Sequence, residues 1–160
     1  MLVSRAMDIF YDVRDVPGLV WAGRDDGRNP YPGVLGWADR LVVTPERVLV
    51  VDYKTNWLGT GDATLTAADY GRARMVEAML HSDYPLQALL YSVVLHRFLT
   101  WRLPGYDPVT HLGGVMYLFV RGMCGAQTPV VDGHPAGVFG WEPPAALVIA
   151  MSELLDKGAR

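Results

Sequence analysis

Apolar residues in this chain fall into short runs separated by proline, glycine and charge. The first clear pattern is two β-branched or aliphatic runs, residues 41–43 and 48–54, with the turn formers Thr44, Pro45 and Glu46 between them. The pattern predicts strand, turn, strand. With the turn centred on Pro45 and Glu46, Thr44 faces Arg47, Val43 pairs with Val48, and Asp39 lies opposite Asp52. Side chains alternate along a strand, so Asp52, Lys54 and Asp39 share one face while Val51 and Tyr53 take the other. Beyond the hairpin, residues 67–79 are alanine-rich and helical in character, weakened by Gly71. A second helix begins after Ser82 or Asp83, takes Pro85 in its first turn and runs to about Leu103, where Pro104 and Gly105 stop it. Leu86, Leu89, Leu90, Val93 and Val94 are its expected core residues. Residues 113–120 form an apolar strand opened by His111. Residues 121–141 are a Gly- and Pro-containing excursion, a loop or small hairpin, before a last helix over about 144–155. Alternating strands and helices of this kind predict one α/β domain with a mixed sheet flanked by helices.

Composition narrows the class. With 51% hydrophobic residues in 160, the chain can bury a full core as a single domain. The longest apolar runs are broken by charge or proline, and the first fourteen residues lack the charged start and apolar stretch of a signal peptide, so no membrane role is expected. The single cysteine, Cys124, excludes an internal disulfide and suits a reducing cytoplasm. It reads as a packing residue. A net charge of −3 argues against strong unaided DNA binding, which draws on phosphate neutralisation by a basic surface.

The hairpin carries the candidate chemistry. Two facing carboxylates repel in a half-buried sheet unless a cation sits between them. A divalent metal removes that cost, and hard oxygen ligands favour Mg²⁺ or Mn²⁺ over zinc. Lys54 on the same face can then hold a water or stabilise charge growing on a phosphoryl oxygen. The plainer alternative makes Asp52 and Lys54 a surface ion pair, worth at most about 1 kcal/mol. On the long helix, Gln87 and Tyr91 are four apart and lie on one stripe. A buried glutamine amide needs partners, which a bound water, a phosphate or nearby backbone can supply. Asp132, His134, His81, His96 and His111 are assigned no role. Arg97, Arg102 and Arg121 read as surface charges able to meet phosphate.

Two sequence stretches, GWADRLVV and LVVDYKTNWLG, resemble motifs II and III of the PD-(D/E)XK nuclease superfamily. Residues 84–99, YPLQALLYSVVLHRFL, carry its Gln, three residues, Tyr signature as Gln87 and Tyr91, and HLGGVMYLFVRGM resembles the strand that follows. The match is closest to the RecB-type nuclease branch and covers about residues 34–123. The resemblance implies a restriction-endonuclease-like fold over residues 34–160, with residues 1–33 an irregular N-terminal segment. By it, Asp39, Asp52 and the carbonyl of Tyr53 would be metal ligands, Lys54 the catalytic lysine, and Gln87 and Tyr91 helpers. The implied reaction is Mg²⁺-dependent hydrolysis of DNA, in an ATP-dependent exonuclease of double-strand-break repair and recombination. Helicase and other RecBCD-like subunits, and the strand-exchange protein RecA, would be its partners. This branch carries a further ligand upstream of the hairpin, often a histidine, whereas the first histidine here is His81. No phosphate loop ending in Gly-Lys-Ser/Thr occurs, so the chain reads as the nuclease portion alone. A catalytically silent module docking a repair partner is the other class consistent with these residues.

Overall fold

A computed structural model describes residues 40–43 and 46–158. Strand β1 (Arg40–Val43) pairs antiparallel with β2 (Val48–Lys54), Val43 opposite Val48 and Arg40 opposite Val51. This is the register expected from a turn centred on Pro45 and Glu46. Asp39 and its pairing with Asp52 lie outside the described residues.

After β2 the chain runs irregularly to a 3₁₀ turn, Ala67–Tyr70, and then to helix α1 (Arg72–Leu80). The single helix expected over 67–79 is therefore split. Gly71 breaks it with an extended ψ of 160°, where it serves as the N-cap of α1 without a side-chain hydrogen bond. Helix α2 (Tyr84–Arg102) follows, with Pro85 in its first turn as expected. A one-turn helix, α3 (Pro108–His111), comes next because Asp107 caps it through the backbone N–H groups of Val109 and Thr110. His111 thus ends a helix, and β3 (Leu112–Phe119) opens at Leu112.

The excursion holds more order than a loop. It contains 3₁₀ turns at Val120–Gly122 and Gly125–Gln127, a small hairpin of β4 (Val130–Val131) and β5 (His134–Pro135), and strand β6 (Val138–Trp141). β6 joins the main sheet, whose order is β1-β2-β3-β6, and the final helix α4 spans Ala145–Gly158. The β2–β3 pair is parallel and the other pairs are antiparallel, which makes the sheet mixed. A parallel pair needs a long crossover, and here it is the segment carrying α1 and α2.

That crossover places α2 against the sheet. Val50, Val115, Tyr117 and Phe119 of β2 and β3 pack in one core with Ala88, Val93, Leu95 and Leu99 of α2 and Val148 of α4. Each large aliphatic side chain so buried contributes about 1.5–3 kcal/mol. Leu86 and Leu90 are not in this core: they are 51% and 38% exposed. Over its nineteen residues α2 is apolar nearly all round, so periodicity alone cannot select its inner face. Val93 lies on the inner face as expected, and Ala88 and Ser92 join it there.

The register of β3 depends on a bulge. The β2–β3 ladder shifts between Val48 and Val50, where Gly113 and Gly114 lie between the partners Leu112 and Val115. Gly114 has φ of +80°, and a Cβ there would stand 2.6 Å from the Trp141 carbonyl oxygen. Past the bulge, Asp52 pairs with Tyr117 and Lys54 with Phe119.

Candidate active site

Asp52 and Lys54 lie two apart on β2, so both side chains leave the sheet on the face covered by α2. Both are buried, and Lys54 Nζ stands 3.0 Å from Asp52 Oδ1. The expectation of a surface ion pair is thereby replaced by a buried one. Lys54 also donates to Gln87 Oε1 at 3.0 Å, Gln87 Nε2 donates to the Tyr91 hydroxyl at 3.0 Å, and that hydroxyl donates to Asp52 Oδ2 at 2.9 Å. The four side chains close a ring. Each polar group has a partner, as groups removed from water require.

Two tyrosines outside the sequence expectation complete the surroundings of Lys54. Its ammonium lies 4.0 Å from the ring centroid of Tyr84 and 5.0 Å from that of Tyr117, and the two rings stack at 5.8 Å. Ring faces attract a cation most where water is excluded. The Tyr117 hydroxyl lies 3.0 Å from the Tyr84 carbonyl and 3.3 Å from Gln87 Oε1. Burial first, then the charge of Asp52 nearby, pushes the Tyr117 phenol well above its ordinary range, so it remains a donor. Tyr84 precedes Gln87 by three residues and Tyr91 by seven, a helical stripe that could have flagged it. Tyr117 has no comparable signal, because its place depends on the parallel pairing.

The segment after Lys54 is tied down as well. Tyr84 donates to Asn56 Oδ1 at 3.1 Å, Tyr70 to the Asn56 carbonyl at 2.8 Å, and Arg121 Nε to the Thr55 carbonyl at 2.9 Å. Tyr53 occupies β2 with its side chain 37% exposed on the opposite face. His96 is held at the far end of α2 by the Tyr106 hydroxyl, 3.0 Å from Nδ1. His134 and Asp132 sit at the small β4–β5 hairpin, where Asp132 takes φ of 50° in its turn. Among the described residues, no three His, Cys, Asp or Glu side chains gather where they could hold a metal ion. The donors the described residues offer at Asp52 are oxygens, the ligand type that suits Mg²⁺ or Mn²⁺.

Mixed sheet, crossover helix and buried ring together define an α/β domain built around one acid–lysine pair. No family model matches the chain. It is 75% identical over 134 residues to RecBCD enzyme subunit RecB of Mycolicibacterium smegmatis, a match covering 83% of this chain and 12% of that protein. The Mycobacterium tuberculosis subunit RecB is 66% identical over 134 residues, covering 82% of the chain and 12% of that protein. The Escherichia coli subunit RecB is 37% identical over 120 residues, 74% of the chain and 9% of that protein. The chain belongs to the RecB family, and it spans about 12% of the length of the mycobacterial relatives it matches. No described helix is long and apolar enough to cross a membrane.

Proposed function

We propose that this chain is the nuclease portion of a RecB-like enzyme and hydrolyses DNA phosphodiester bonds with Mg²⁺ or Mn²⁺. The observation that carries this reading is the buried Asp52–Lys54 pair, braced by Gln87 and Tyr91, in a chain of the RecB family. Asp52, the Tyr53 carbonyl and Asp39 would hold the metal. When bound, the metal supplies a polarised phosphate and a water of lowered pKa.

The residues themselves account for the rest. Lys54 directs its protons to Asp52 and Gln87 and its charge to the Tyr84 ring. Were Asp52 to turn towards a cation, Lys54 would keep Gln87 and Tyr84 and free one N–H to donate to a non-bridging phosphoryl oxygen, where charge grows as water attacks. As the water bonds to phosphorus it gives a proton to solvent, the P–O bond to the leaving oxygen breaks, and that oxygen takes up a proton from solvent. Before the ion binds, Gln87 and Tyr91 hold Asp52 and Lys54 at a fixed separation. In the complete enzyme this chemistry would serve an ATP-dependent exonuclease of double-strand-break repair in the cytoplasm, beside helicase and other RecBCD-like subunits and in contact with RecA.

A second reading draws on a specific observation. Both oxygens of Asp52 already have protein partners, and the described residues bring no second carboxylate to it. A silent module that docks a repair partner would look the same. Degradation of linear single-stranded DNA in Mn²⁺ separates the two. The nuclease reading expects cleavage by the parent and loss of at least about 100-fold in Asp52→Ala and Lys54→Ala, the scale of removing one preorganised charge stabiliser. A folded parent that does not cut selects the docking module.

A further inference from the structure

The segment leaving β2 carries a feature that the proposed hydrolysis does not use. Trp57, three residues past Lys54, is 55% exposed on the wall of a cleft of about 260 Å³ between residues 57–59 and Arg74, Glu77 and His81. A lone exposed tryptophan needs no explanation, but this one is held in place. A Cβ on Gly59 would lie 2.9 Å from the Trp57 Nε1, so the indole rests against the bare Gly59 backbone and a side chain there would displace it. The loop beneath it is fastened by Arg74, which donates to the Leu58 carbonyl at 3.2 Å, and by the Tyr70 bond to the Asn56 carbonyl. Arg121 lies over the indole at 6.0 Å, the outer limit of a cation–π contact. Its Nε is anchored on Thr55, while its terminal nitrogens have no partner among the described residues.

A fixed, exposed ring with a guanidinium beside it is a nucleotide-sized receptor: the ring takes the face of a base and the guanidinium a phosphate oxygen. The chain between Lys54 and Trp57 spans at most about 10 Å, so such a nucleotide would lie close to the bond being cut. Glu77 on the opposite wall repels phosphate and accepts from a base N–H, which orients the base inward and the phosphate towards Arg121. Resting on the nuclease reading, we infer that Trp57 stacks an unpaired nucleobase of the DNA strand beside the cleavage site, with Arg121 on its phosphate. Bases inside a duplex lie against their neighbours and cannot offer that face.

The test compares binding of an oligothymidylate with that of an abasic sugar–phosphate oligomer of the same length, in EDTA, by fluorescence anisotropy. The parent should prefer the thymidylate by about 10-fold, the worth of one stacked base. Trp57→Ala should abolish the preference, Trp57→Phe should keep part of it, and Gly59→Ala should reduce it with the tryptophan still present. Arg121→Ala should weaken both oligomers alike. Circular dichroism melts establish that each variant folds. A parent that binds the two equally, or a Trp57→Ala chain that keeps the preference, overturns the subsite. Because no metal is present, the outcome is separate from cleavage: a chain that stacks bases without cutting refutes the nuclease reading alone, and one that cuts without base preference refutes the subsite alone.

Discussion

Lys54 carries a charge into the core, and its neighbours make that possible. A buried ion pair stabilises little against an apolar replacement, but removing one partner leaves the other charge stranded. Lys54→Met should therefore destabilise the metal-free chain by about 3 kcal/mol in urea unfolding, and Asp52→Asn by a similar amount. The double variant should cost less than the sum of the two; additive costs would show that the pair is not coupled. Mn²⁺ should stabilise the parent against unfolding, by mass action, and leave Asp52→Asn unchanged. The companions Gln87 and Tyr91 could be read from the sequence because they match the Gln, three residues, Tyr signature of the resemblance; helix spacing alone puts them on one stripe without saying what they meet. Tyr84 and Tyr117 could not be read in the same way, since the ring faces they show Lys54 depend on tertiary placement.

Between the residues and the whole, it is the glycines and turns that decide which elements meet. The hairpin was legible because its turn residues lie within the segment they organise, and the observed partners Val43 and Val48 follow from them. The Asp52–Tyr117 pairing was not, because it is set by the bulge at Gly113 and Gly114, far along the chain. Strand β6 escaped notice because VFGW sits among glycines and shows no clean alternation. Gly114→Ala would strain a φ of +80° and drive a Cβ into the Trp141 carbonyl. It should destabilise by about 2 kcal/mol or more, read in thermal unfolding, and on the nuclease reading lower cleavage by moving Tyr117. Unchanged stability would show that the bulge does not set the register. Gly71→Ser meets only ordinary contacts and supplies the missing cap of α1, so it should raise stability by about 0.5 kcal/mol in the same measurement.

At the level of the whole molecule, acid stability gives a further readout. Burial, reinforced by the charge of Arg97, lowers the His96 pKa from its ordinary 6.5. Facing it are Tyr106 and, beyond that ring, His111, while the exposed Asp107 lies beside them. The folded chain thus binds fewer protons than the unfolded one in this window, so the contribution is complete above 6.5 and is lost as pH falls towards the lowered value. His96→Gln should flatten that part of the stability–pH curve; an unchanged slope would assign it to other groups. The net charge of −3 sets a different expectation, that DNA affinity of the chain alone is weak.

The closed ring around Asp52 has one more consequence. On the proposed reading, a divalent ion would reach a carboxylate whose two oxygens already accept from an ammonium and a phenol, and would compete with both for it. Loading would then be an exchange rather than an addition. The protein would keep its shape at low metal and release Lys54 for work only as the ion arrives, so the contact that keeps two buried charges partnered would also act as a safety catch.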